Sequence, residues 1–127
     1  MWPGRMYYSR YIKNAGRIKM NFREKEQFRR KVLDTLKMSG TNHCGCFRIN
    51  KHNSVEHENK KYEVYYELRT LGHELITEAE FKTGGRCDIL DLTDGTIIEI
   101  LHSETEKELK EKIKKYPSFL PVTTIKV

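Results

Sequence analysis

Apolar residues return along this chain at two different spacings. Over 21–38, Phe22, Phe28, Val32, Leu33 and Leu36 recur at three- and four-residue steps, Asn21 stands as a cap and Ser39-Gly40 as a stop, which predicts a helix. Arg23, Arg29, Arg30 and Lys37 lie on its other face. Over 57–71, Val64, Tyr65, Leu68 and Leu71 mark a second helix, and Gly72 stands where a left-handed terminating residue belongs. The period then falls to two: Leu75, Thr77, Ala79 and Phe81 alternate with Glu74, Ile76, Glu78 and Glu80, making 73–81 a strand. Thr83-Gly84-Gly85 turns the chain into a strand over 86–92, and Thr93-Asp94-Gly95 is a hairpin turn into a third over 96–101. Ser103 and Glu106 form a capping box for a helix whose stripe is Leu109, Ile113 and Tyr116, ending before Pro117. A last strand spans 122–127, and a right-handed crossover makes it parallel to the third. Residues 40–56 suit a loop, with 46–49 as a short strand, and 1–20 an irregular arm rich in Tyr and basic residues.

At 127 residues the chain holds one core, and 13 aromatic residues supply mass for it, which excludes wholesale disorder. No apolar run approaches the roughly 18 residues of a membrane span, and the first 20 residues lack a signal-like apolar stretch. No membrane partner is expected. Three cysteines without a framework spacing fit a reducing, cytoplasmic (intracellular) compartment. The net charge of +6 is uneven: residues 1–53 carry 13 Lys/Arg against three acids, +10, and 54–127 carry 11 against 15, −4. A basic extension, 1–53, thus precedes an acidic core, 54–127. The basic part suits a polyanion; it equally suits a solvated face.

Three acids fall on successive strands of the core: Glu78, Asp88 and Glu99, the last inside Ile97-Ile98-Glu99-Ile100-Leu101. A carboxylate in so apolar a strand is costly unless a cation compensates it. Two readings follow. Either Asp88 and Glu99 form an oxygen-rich site for Mg²⁺ or Mn²⁺, or Glu99 pairs with Arg86 or a helix lysine and Asp88 tightens the hairpin.

The string His57-x-x-Lys60, Leu71-Gly72-His73-Glu74, Thr77-Glu78, Gly85-Arg86-Cys87-Asp88, Ile98-Glu99-Ile100, Ser103-Glu104, Lys112 and Tyr116-Pro117 resembles the PD-(D/E)XK nuclease superfamily. It is most similar to the Holliday-junction-resolvase and CoiA-like branches, with their small archaeal and viral members, and covers 54–127. The resemblance implies an α/β, restriction-endonuclease-like fold: a four-stranded mixed sheet flanked by helices, here with a basic N-terminal helical extension. It implies a Mg²⁺- or Mn²⁺-dependent DNA endonuclease, selective for DNA structure, and a homodimer, as junction resolvases are. Carried over by residue, it makes Asp88, Glu99 and Ile100 the metal contacts, with Glu78 or Glu63 as the additional acid. One position departs. The family lysine belongs two residues after Glu99, where this chain has Leu101, which can neither orient water nor stabilise phosphorane charge. In relatives the lysine migrates to a helix, and Lys60, Lys61 or Lys107 is the expected substitute, with Lys60 placed in the catalytic set. The alternative is a catalytically inactive nucleic-acid-binding or regulatory protein of the same fold.

Affinity for DNA phosphates is assigned to Arg23, Arg29, Arg30 and Lys31 on the first helix, to Arg86 by the acids, and to the basic arm. Cys44-x-Cys46 with His43 lacks the paired ligand spacing of zinc sites and reads as ordinary thiols. Glu63, Glu67 and Lys60 read as a solvated face of the second helix, and 107–115 as the wet face of the last.

Overall fold

The computed structural model describes residues 20–38 and 40–127. The arm at 1–19 and the stop residue Ser39 therefore lie outside the described residues. Among the described residues three helices, α1 (Phe22–Leu33), α2 (Val55–Thr70) and α3 (Glu106–Ile113), accompany four strands, β1 (Leu75–Glu80), β2 (Arg86–Asp91), β3 (Thr96–Leu101) and β4 (Val122–Lys126). The sheet order is β1-β2-β3-β4, antiparallel except for the parallel β3–β4 pair. The chain is an α/β protein built on a mixed sheet, in the order the periodicities predict.

Each face of the sheet buries its own apolar cluster. Under α1 and the segment after α3 lie Val32, Leu36, Ile76, Ala79, Phe81, Cys87, Leu90, Ile97, Tyr116 and Leu120. Under α2 lie Val64, Tyr65, Leu68, Leu75, Ile89, Ile98, Ile100 and Ile125, with Phe47 from the preceding loop. Because both faces are covered, β1 to β3 are buried along almost their whole length. This corrects the simple inside–outside alternation expected for 73–81: Ile76 is as buried as Leu75.

Local chemistry sets the boundaries. Asn21 Oδ1 accepts the Glu24 N–H, starting α1 where expected, but Phe22 stands exposed rather than in the stripe. The helix stops at Leu33, not 38, because Leu36 bridges to Phe81 and the Lys37 N–H donates to Glu80 O, so the edge of β1 claims this backbone. Ser54 caps α2, and Gly72, at φ 87°, ends it: the Gly72 N–H donates to Arg69 O and the His73 N–H to Leu68 O, a Schellman closure. The cap of α3 is Thr105, whose Oγ1 accepts the Glu108 N–H, not Ser103. No strand forms over 46–49; Cys44 instead makes an isolated bridge to Ile76. Among the described residues no helix is long and apolar enough to cross a membrane.

Candidate functional site

The acids sit where the pleat of the two edgeward strands breaks. Ile76 and Ala79 on β1 are three residues apart yet join one cluster, as do Cys87 and Leu90 on β2, which strict alternation forbids. On β1 the half-turn is supplied by Glu78, at φ 53°, in the left-handed region that a long side chain rarely adopts. Thr77 pairs with Ile89 and Ala79 with Cys87, leaving Glu78 in line with Asp88. The β2–β3 ladder stops at Ile89–Ile98, and the next residues in line are Asp88 and Glu99. Asp88 Oδ2 takes over the ladder there by accepting the Ile100 N–H at 2.8 Å. The three acids thus form a row across three strands.

Their partners differ. Glu78 is matched in full: Lys61 Nζ lies 2.9 Å from Oε2, Asn50 Nδ2 3.0 Å from Oε1, and Arg86 Nε 3.8 Å away. Lys61 is completely buried, and its ammonium also donates to Arg48 O at 2.7 Å and Glu58 Oε1 at 3.3 Å. Asp88 and Glu99, both buried, bond to each other. Burial, then the Asp88 charge and the shared hydrogen bond, push the Glu99 carboxyl up to about 9, so Glu99 holds the proton. Burial also opposes charge on Asp88, but His57, Glu99 and the Ile100 N–H outweigh it and hold its carboxyl below the usual range. His57 Nε2 stands 3.3 Å from Asp88 Oδ2; burial lowers the imidazole, and Asp88 and Glu58 together more than offset it, raising it overall. Tyr116 Oη donates to Glu99 Oε1 and Lys112 Nζ lies 3.4 Å from Oε2. Gly85 makes this approach feasible, since a Cβ there would meet the Tyr116 ring at 2.8 Å and Lys115 O at 2.9 Å.

Two surface cavities of about 300 Å³ flank the row and share His52. One is lined by Arg48, Asn50, Lys51, Glu78 and Arg86; the other by Ser54, His57, His102, Ser103 and Glu104.

Several assignments change in this setting. Lys60 and Glu63 pair with each other at 3.1 Å on α2, Lys107 is exposed, and the lysines that reach the acids are Lys61 and Lys112. Lys112 corrects the reading of 107–115 as purely wet: this lysine of the run turns inward to the acids. Glu67, expected on a solvated face, is buried. Ile100 is buried and contributes its N–H to Asp88. Arg29, expected to meet phosphate, is held by Glu74 through two bonds of 2.7 and 3.0 Å. Arg23, Arg30 and Lys31 are exposed, Lys31 over the Phe119 ring at 4.3 Å. Arg86 is half-exposed at the cavity, 3.1 Å from Glu80. Cys44 and Cys46 are exposed and Cys87 is packed in the core. Asn50 and Arg48 carry no periodicity signal and nothing in the sequence singles them out, while His57 entered only through the family resemblance, with no role assigned to it.

Among the described residues, the ligand atoms gathered closely enough to hold a metal ion as a group of three belong to His73, Asp91 and Asp94, all within 4.8 Å of one another. Asp88 and Glu99 meet as a pair. Comparison with family models, with curated proteins and with solved structures finds no match to this chain.

Proposed function

We propose that the protein is a divalent-metal-dependent phosphodiester hydrolase acting on DNA, with a restriction-endonuclease-like core. The observation that carries this reading is the Asp88–Glu99 pair with the Lys112 ammonium 3.4 Å from Glu99. Two carboxyls brought together in a buried place must share a proton or a cation, and here Glu99 takes a proton to stand beside Asp88. Asp88 and Glu99 would hold a hard dication of the Mg²⁺ or Mn²⁺ class in place of that proton, since carboxylates are the donors such ions prefer. When bound, the ion supplies Lewis acidity and an activated water.

The chain's own groups do the rest. The Ile100 N–H and His57 fix the orientation of Asp88, and Tyr116 fixes Glu99. Lys112 brings a cation to the place that Leu101 leaves without one, where it stabilises charge developing on a phosphate. Arg48, Lys51 and Arg86 around the cavity beside Glu78 offer contacts to neighbouring phosphates. The sequence departure at Leu101 favours a second reading, a nuclease-fold protein that binds nucleic acid without cutting it.

The two separate on incubating the full chain with supercoiled, branched and single-stranded DNA in Mg²⁺ or Mn²⁺. Cleavage that disappears in Asp88→Asn and Glu99→Gln supports the hydrolase. Binding without cleavage selects the second reading, and neither binding nor cleavage removes both.

A further inference from the structure

The far end of β2 carries a second cluster that the nuclease reading does not use. His73, between α2 and β1, meets Asp91, the last residue of β2, and Asp94, in the β2–β3 turn. His73 Nδ1 lies 2.6 Å from Asp91 Oδ2 and 3.6 Å from Asp94 Oδ2. The geometry points to a mononuclear site for a transition dication of the Zn²⁺ class, held by His73 Nδ1, Asp91 Oδ2 and Asp94 Oδ2.

The two oxygens of Asp91 divide their work. Oδ1 accepts the Thr93 and Asp94 N–H groups at 2.9 and 3.2 Å and so shapes the turn, while Oδ2 is the oxygen turned to His73. Asp94 Oδ2 is a buried atom that accepts no hydrogen bond, which is an unmet demand for a cation. Charge leads the same way. Asp91 is completely buried and Asp94 nearly so, and against these two carboxylates a protonated imidazole brings one positive charge. A dication cancels both charges.

The spacing is close to that of a metal centre. Donors at 2.0–2.2 Å around a tetrahedral zinc stand about 3.4 Å apart. The 3.6 Å contact already has this separation, and the 2.6 Å contact reaches it by opening less than 1 Å as the ion replaces the proton between His73 and Asp91. The imidazole nitrogen selects ions of the zinc class over Mg²⁺, with water at the fourth position. Such an ion ties the end of α2, the end of β2 and the hairpin turn together, three residues along β2 from Asp88.

The test uses Zn²⁺ alone on the full-length chain and on the same chain carrying D88N and E99Q, which leaves this cluster as the described carboxylate site. Titration calorimetry is expected to give one equivalent in the D88N/E99Q chain and at least one in the parent. With zinc at about 100-fold excess over its Kd, Tm is expected to rise by roughly 8 °C. Asp94→Asn, checked for native circular dichroism, is expected to weaken binding by at least about 10-fold, and His73→Gln by as much, since even outer partners of a metal ligand are worth that. Zinc is also expected to shift the His73 imidazole NMR signals of the unmutated chain, a readout that needs no variant to fold. Absence of a zinc equivalent in the D88N/E99Q chain, undiminished binding by the Asp94 and His73 variants, or an unmoved His73 resonance each overturns the assignment.

Discussion

Glu78 and Glu99 occupy comparable positions, one on each side of Asp88, yet they are stabilised in opposite ways. Glu78 is met by a completely buried lysine on α2 and an amide from the loop before it. Glu99 is met by a phenol, a half-exposed lysine and another carboxyl, and takes a proton to stay. An acid supplied with its own cation belongs to the framework, whereas one that must borrow a proton is receptive to an incoming cation. On the proposed reading Lys61 is therefore a framework residue and Lys112 a functional one, although both are lysines touching an acid of the same row.

Removing Lys61 strikes this contrast hardest. Lys61→Met leaves Glu78 charged and buried, and the expected cost is about 3–5 kcal/mol in urea unfolding, while the double variant with Glu78→Gln recovers most of it. A loss below about 1 kcal/mol for the single variant breaks the distinction. Lys112→Met probes the other side. Its side chain is 36% exposed, so stability is expected to change little, but on the proposed hydrolase reading loss of this one positive donor is expected to slow single-turnover DNA cleavage by about 10²–10³-fold at unchanged DNA affinity. Equal rates for Lys112→Met and the parent remove Lys112 from the site.

The shared proton sharpens the contrast through pH. Glu99 has its folded value raised to about 9 from an ordinary 4.5, so between these values the folded chain holds a proton the unfolded chain has lost. Stability is then greatest below about 4.5 as far as Glu99 is concerned and falls as pH rises to about 9, by up to about 1.4 kcal/mol per pH unit. His57 and His73, raised by their acids, add losses of the same sign as pH climbs through their folded values. Glu99→Gln removes the Glu99 share alone, so urea unfolding of the parent and the variant from pH 5 to 9 in chelator should diverge, the parent having the steeper slope. Parallel slopes would show that Glu99 is ionised throughout.

Periodicity was enough to order the elements, because two-residue and 3.6-residue spacings survive in strands and helices whose faces are buried. It also put Asp88 and Glu99 on adjacent strands, but their side-by-side register comes from a four-residue connection, 92–95, that sets Asp91 opposite Thr96, where a three-residue turn would have set Asp88 opposite Ile100. The partners of the acids were only partly in reach: a helix lysine for Glu99 and Lys61 for the site stood among the alternatives, but nothing in the sequence chose Lys112 or matched Lys61 to Glu78. Lys61 sits in a helix whose sequence, Glu58 to Glu67, reads as a charged surface, and only the packing of α2 on the sheet turns it inward. Lys112 hides in a lysine-rich run for the same reason. The left-handed Glu78 leaves no trace in composition, because long acidic side chains seldom adopt that conformation and tertiary contacts enforce it here. Thr105 and Ser103 are both good caps, and which of them starts α3 depends on where β3 releases the chain.

The smallest expected effect concerns α1, where the sequence assigned Arg29 and Arg30 the same task. Arg29 is committed to Glu74 through a two-bond contact, whereas Arg30 is exposed. Both partners of the Arg29 pair are more than a third exposed, so water and salt screen it, and Arg29→Ala is expected to cost no more than about 1 kcal/mol. Charge neutralised inside the protein releases few counterions when DNA binds. Arg30→Ala is therefore expected to lower the slope of log affinity against log salt by about one, and Arg29→Ala by distinctly less. Glu74→Gln supplies the converse, because it frees Arg29 for phosphate and should steepen the slope. Should Arg29→Ala and Arg30→Ala instead lower the slope equally, with Glu74→Gln leaving it unchanged, the Arg29–Glu74 contact opens on DNA and α1 meets phosphate as one undivided basic face.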